Sequence, residues 1–164
     1  MVEHTVLPGE VFFCTESSVL RTVLGSCIAL TVWHPGFRVG GMCHYVLPNS
    51  SQPNAKVYAN RYGEFALDSL LREMQSICNA NDYVLRLYGG AAMFGNRLED
   101  SIGAKNIEFA LEWLDRHALK PAYQDIGGRC SRTVKLDLGS GEIDLKRYIS
   151  DDQMGVQSLE GMRK

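Results

Sequence analysis

The sequence predicts an α+β (mixed α/β) fold, a single layered domain with strands at both ends of the chain packed on two main helices. Three observations carry this. Residues 27–33 form an apolar, partly β-branched run that a turn separates from a second strand-like segment. Two central segments repeat apolar residues at helical spacing. Near the end of the chain, two stretches of period two flank Gly139-Ser140-Gly141.

The elements follow in order. His34-Pro35-Gly36 is a turn signal, so residues 27–33 and 37–47 form a hairpin. Residues 48–54 are a polar loop. The first helix presents Phe65, Ala66, Leu70, Met74, Ile77 and Cys78 on one face, and Asn79 and Asn81 stop it. Residues 83–88 form a strand closed by Gly89-Gly90. The second helix begins near Ala104, carries Ile107, Ala110, Leu111, Leu114 and Ala118, and ends at Lys120-Pro121. Residues 133–138 and 142–148 form the second hairpin. The domain is expected over residues 1–149, and the polar tail 150–164 is expected to be flexible.

With 45% hydrophobic and 22% charged residues the chain is an ordinary globular sequence, so disorder is not the expected state. A net charge of -2 speaks against general affinity for nucleic acid. Met1-Val2-Glu3-His4 opens no secretory signal, and no apolar run is long enough to enter a bilayer, so a cytoplasmic protein without membrane insertion is expected. Five cysteines without an export signal read as free thiols. No CxxC pair occurs and the four histidines do not fall at zinc spacings, so neither metal nor cofactor is expected.

Leu24-Gly25-Ser26-Cys27 places two small residues before a cysteine that opens a buried strand. Gly25 permits a tight turn and close approach of another backbone. The N–H groups around Ser26 and Cys27 can face a developing oxyanion. A thiol nucleophile needs a base. Folding about Pro35-Gly36 sets position 27 across from roughly position 44, which brings His44 to Cys27. The plainer reading stands beside this one: a small core cysteine and a hydrogen-bonded structural histidine. Cys43, next to His44, points to the opposite face and reads as core.

In colinear order these residues resemble the chemoreceptor glutamine deamidase family, CheD. The resemblance covers Leu24-Gly25-Ser26-Cys27, Gly40-Gly41-Met42-Cys43-His44-Tyr45-Val46-Leu47-Pro48, Tyr62-Gly63 and Gly89-Gly90-Ala91-Ala92-Met93-Phe94. It continues through Ile102-Gly103-Ala104-Lys105-Asn106, Asp125-Ile126-Gly127-Gly128 and Arg132-Thr133-Val134. It implies a nucleophile at Cys27, a base at His44, and Thr22 as the residue that orients the histidine. Thr22 also reads simply as a strand threonine. The later glycine motifs read as turns and close packing, and Asn106 as a possible turn cap. The resemblance further implies that the partners are cytoplasmic domains of methyl-accepting chemotaxis receptors, with a CheC-type phosphatase as a further or alternative partner of a non-catalytic chain. Transglutamination, small-molecule amidase action and receptor methylester hydrolysis could use the same thioester. The missing CxxC argues against a thiol redox protein.

Overall fold

The computed structural model describes residues 2–50, 59–93, 97–151, 155–158 and 162–163. Part of the expected polar loop, residues 51–54, and Phe94 of the glycine–alanine motif lie outside them. The fold is α+β: among the described residues, two α-helices and eleven strands in two sheets.

The outer sheet holds β1 (Val2–Thr5), β3 (Ser18–Leu24), β8 (Cys130–Asp137), β9 (Ile143–Asp151) and β10 (Gly155–Ser158) in that order, with β11 (Met162–Arg163) pairing β9. The inner sheet runs β2 (Val11–Cys14), β5 (Val39–Tyr45), β4 (Ile28–His34), β6 (Val84–Gly89), β7 (Tyr123–Ile126). Helices α1 (Gly63–Gln75) and α2 (Ile102–Arg116) cover its other face.

The burial patterns explain the sequence patterns. The inner sheet is covered on both sides, so all seven residues of β5 are buried and β4 is buried from Ile28 to Val32. The outer sheet keeps one wet face, so β8 alternates strictly between buried and half-buried residues. Leu20, Leu24, Ala29, Met42, Tyr88, Val134, Leu136 and Leu145 fill the space between the sheets. Leu30, Tyr45, Leu67, Leu70, Met74, Leu87 and Trp113 fill the space beneath the helices. Trp113 also ties the helices together by donating to Asp68 of α1 at 2.8 Å.

Both predicted hairpins form, with one shift of register. The first turn is longer than the Pro35-Gly36 signal suggests. Arg38 takes φ 56° and donates its N–H to His34 O, and β5 starts at Val39, leaving Phe37 60% exposed. His44 therefore pairs with Ala29, two positions beyond Cys27. A two-residue offset keeps side chains on the same face, whereas a one-residue slip would have separated them.

The helices also differ in detail. Helix α1 ends at Gln75, and Ile77 and Phe65 are exposed rather than on the core stripe. Helix α2 starts two residues early because the Ser101 hydroxyl accepts from Ala104 N at 3.0 Å. Its buried face carries Asn106 and Trp113, while Leu111 is 37% exposed. At the C-terminus β9 runs through position 149, and β10 and β11 pair back onto it.

Candidate active site

Strand β3 ends at Leu24 in the outer sheet and β4 starts at Ile28 in the inner one, so Gly25, Ser26 and Cys27 make the crossover between the layers. Three consecutive carbonyls of this crossover are tied down. Gly25 O accepts from Ala91 N at 3.0 Å, Ser26 O from Asn106 Nδ2 at 2.9 Å, and Cys27 O from Gly90 N at 2.9 Å. Each peptide carries its N–H opposite its C=O, so the Ser26 and Cys27 N–H groups point away from these anchors. Neither has an acceptor among the described residues.

The close approach expected at Gly25 belongs to Gly89 instead. A Cβ on Gly25 would only reach ordinary contact with Met93, at 3.7 Å. A Cβ on Gly89 would stand 2.1 Å from Cys27 O, and Gly89 holds φ +109°. Asn106, read from the sequence as a turn cap, is wholly buried and bridges two strand ends, because it also donates to Val46 O at 2.8 Å. An amide on the apolar stripe of α2, one turn before Ala110, is the sequence signal of such a buried polar bridge.

His44 lies on the face of β5 turned toward the outer sheet, where its neighbour across is Ala29. Cys27 lies one same-face step beyond that alanine. Thr22, fully buried on β3, reaches His44 from the opposite layer, with Oγ1 2.8 Å from Nδ1. The structure thus brings Thr22 to His44 across the two layers and sets Cys27 at the crossover that joins them.

The protons can be assigned. A hydroxyl has one proton to give, and that of Thr22 goes to Val6 O at 2.7 Å. Thr22 Oγ1 can only accept from His44, so Nδ1 carries the ring proton and Nε2 keeps its lone pair. Nε2 is buried and has no partner among the described residues. Burial pushes the Cys27 thiol up from its ordinary value, with Arg61 pulling the other way. Burial also lowers His44, opposed by its contact with the Val6 carbonyl and by Glu10. Both shifts favour a neutral thiol beside a neutral imidazole at rest.

Cys43 sits on the other face of β5 in the helix-side core, and burial pushes its thiol up to about 12. Among the described residues one grouping could gather around a cation: His34, Cys78 and Asp82, with ligand atoms within 4.8 Å of one another. His34 is at the far end of β4 from Cys27. Its Nδ1 accepts from Gly36 N and Phe37 N, both at 3.0 Å. In the neutral ring Nε2 then holds the proton and offers a metal no lone pair, so the group reads as a turn lock.

The family model described as CheD chemotactic sensory transduction matches residues 46–147, more than half of the chain. The chain belongs to the CheD family. Its relatives include a probable chemoreceptor glutamine deamidase CheD of Pseudomonas syringae pv. tomato (strain ATCC BAA-871 / DC3000). That protein is 39% identical over 150 residues, which are 88% of this chain and 89% of the relative. The probable chemoreceptor glutamine deamidase CheD of Pseudomonas fluorescens (strain SBW25) is 36% identical, over 99% of this chain and 92% of its own. The alignment with this second CheD protein therefore takes in the segment that carries Thr22, Cys27 and His44. A third CheD relative, the probable chemoreceptor glutamine deamidase CheD 1 of Chromobacterium violaceum, is 36% identical over 85% of this chain and 75% of its own.

Proposed function

We propose that this CheD chain is a cysteine-dependent glutamine deamidase of chemotaxis receptors, with Cys27 as nucleophile and His44 as base. The observation that carries the reading is the orphaned Nε2 of His44, left with its lone pair because Thr22 fixes the proton on Nδ1. His44 Nε2 takes the Cys27 proton as sulfur attacks the carboxamide carbon of a receptor glutamine. The N–H groups of Ser26 and Cys27 donate to the oxyanion of the tetrahedral intermediate and stabilise its negative charge. The imidazolium gives its proton to the amide nitrogen, the C–N bond breaks and ammonia leaves, with the acyl group held as a thioester. A water then loses a proton to His44 and attacks the thioester. Sulfur departs and recovers the proton, and a glutamate side chain is released. Thr22 holds the ring through the cycle, the office that an acidic side chain fills in other triads.

Neutral resting partners suit this scheme, since charge develops only as the substrate excludes water. The reaction consumes water and a carboxamide and needs no redox partner. Each turnover adds a carboxylate to the receptor's helical cytoplasmic domain, which places the enzyme in the cytoplasm. No helix among the described residues is long and apolar enough to cross a membrane. The CheC-type phosphatase that the family resemblance implies as a partner would bind without using the thiol.

The test is incubation with a receptor cytoplasmic fragment, with glutamine-to-glutamate conversion followed by peptide mass spectrometry. Wild type should convert discrete glutamines, and His44→Ala should lose about 10²–10⁴ of the rate. A folded wild type that converts no glutamine on several receptors, yet binds a CheC-type phosphatase unchanged by Cys27→Ala, would move the function to that partner.

A further inference from the structure

We propose that Glu10 and Arg61, whose backbones are hydrogen-bonded to the end of β5, are positioning residues of this site whose opposite charges together favour transfer of the Cys27 proton to His44. The inference rests on the cysteine–histidine reading above and extends it to two residues that take no part in the bonds made or broken.

The geometry begins with the loop between β1 and β2. His44 donates its backbone N–H to Glu10 O at 3.1 Å and accepts from Gly9 N at 2.8 Å, so the loop is clamped to the residue that carries the imidazole. The Glu10 carboxylate is held in turn, with Oε2 accepting from Leu7 N at 3.0 Å. Arg61 arrives from the other side. Its carbonyl accepts from Val46 N at 2.7 Å and Leu47 N at 3.2 Å, the two residues just past β5. Its side-chain stem lies against Gly9, where a Cβ would stand 2.8 Å from Arg61 Cγ. Gly9 holds φ +86°, so glycine both makes the turn and leaves room for the arginine.

The signs match the ion pair that proton transfer creates. Burial opposes charge on both partners, and against it Arg61 favours a thiolate at Cys27 while Glu10 favours an imidazolium at His44. Other titratable groups among the described residues pack near the pair. Tyr45 is a phenol that keeps its proton chiefly because it is buried, with Cys43 and Cys27 acting in the same direction. His4 Nε2 lies 3.5 Å from Glu10 Oε2 and shares that carboxylate. Beyond Gly89, Asp125 is paired with Arg132 and Arg147. Thr22, the contact from β3, is neutral. Arg61 is exposed, so its field is screened by salt, whereas the buried hydrogen bonds of the triad are not.

The experiment is alkylation of Cys27 in the full chain by iodoacetamide across pH, read at the Cys27 peptide by mass spectrometry. Arg61→Gln should move the midpoint upward and slow the reaction near neutral pH roughly three- to tenfold, up to one unit of thiol acidity. Arg61→Lys should restore most of the rate, and raised salt should slow the wild type but not Arg61→Gln. Glu10→Gln keeps an acceptor for Leu7 N yet should slow the neutral-pH reaction about threefold. A charged probe separates field from fold: iodoacetate should lose more rate than iodoacetamide in Arg61→Gln. Folded Arg61→Gln and Glu10→Gln proteins that titrate like the wild type would overturn the proposal. Conversion of receptor glutamine is measured separately, so a thiol that titrates as expected without conversion would upset the substrate reading and uphold this one.

Discussion

Thr22 Oγ1 sits 2.8 Å from His44 Nδ1 and hands its only proton to Val6 O, so two layers of the fold meet at a single hydroxyl that sets the histidine tautomer. Replacing Thr22 tests this directly. Thr22→Val keeps the shape but removes the hydroxyl that serves both His44 Nδ1–H and Val6 O, at about 1–3 kcal/mol. Deamidation should slow at least tenfold, with a lower Tm. Thr22→Ser should retain most of the activity, and a serine variant as slow as the valine variant would argue that the methyl group, not the hydroxyl, is what matters.

Asn106 is predicted to matter for rate as well as stability. Asn106→Leu would strip Ser26 O and Val46 O of their donor, and each half-buried carbonyl left bare costs on the order of 1 kcal/mol. Thermal unfolding should begin at lower temperature. At temperatures where the variant remains folded, the turnover number should fall, because the crossover that carries Cys27 is no longer held from behind. Unchanged turnover in a destabilised variant would make Asn106 a purely structural residue.

Gly89→Ala should be more damaging than any other single methyl addition near the site. The new Cβ would meet Cys27 O at 2.1 Å and sit on a backbone at φ +109°. The Cys27 turn must move to relieve this. Loss of most of the deamidase activity is expected, against a small effect for Gly25→Ala, whose Cβ would only touch Met93. Equal effects of the two substitutions, measured on the receptor fragment, would contradict the assignment of the close approach to Gly89.

Asp125 joins the layers on the far side of the site. It binds Arg132 Nε at 2.7 Å and Arg147 Nε at 2.8 Å, and the Arg132 side chain is only 3% exposed. Asp125→Asn should cost about 3–5 kcal/mol, since it leaves a buried guanidinium uncompensated. Urea unfolding would measure the loss, and a change below 1 kcal/mol would show that Arg132 finds other acceptors.

Three groups at or near the site contribute to the pH dependence of stability. Burial pushes Asp125 upward, but hydrogen bonds from Arg147 and Arg132 overcome this and hold it below 3.8. Its contribution is present above that ordinary value and is lost as pH falls through the folded one. His44 is lowered from 6.5 by burial, so below 6.5 the unfolded chain binds a proton that the native chain refuses, and stability falls. Cys27 is raised from 9.0 by burial, so above that value the unfolded chain sheds a proton that the native chain keeps. Stability should therefore be greatest between the ordinary histidine and thiol values. His44→Asn should flatten the slope between pH 7 and 5 in urea titrations; an unaltered slope would refute the assignment.

Much of this site was legible in the sequence because hairpins are local. The turn at residues 34–36 and the continuous apolar run after Cys27 were enough to put His44 on the right strand and face. The register error came from the left-handed Arg38, a residue type with no bias toward that conformation. Strands β1, β2 and β7 carry no individual signal in the sequence. They are four residues each at or near sheet edges, too short to show a period. The family resemblance points to Thr22 as the partner of His44, but no local pattern encodes that contact, which comes from the packing of one sheet on the other across 22 residues of chain. The same holds for Asn106 and Asp125, whose partners lie in distant strands. Helical periodicity puts Phe65 and Ile77 on the core face, but both are exposed, because periodicity ranks faces by hydrophobicity and cannot see which face a sheet covers.

The most direct test of the central claim is acid-quenched peptide mass spectrometry of the enzyme during turnover on a receptor fragment. The account predicts a receptor peptide joined to Cys27 through a hydroxylamine-sensitive thioester, absent in Cys27→Ala, which should also make no glutamate. Glutamate formation that persists in a folded Cys27→Ala protein, with no adduct on the wild-type thiol, would contradict it.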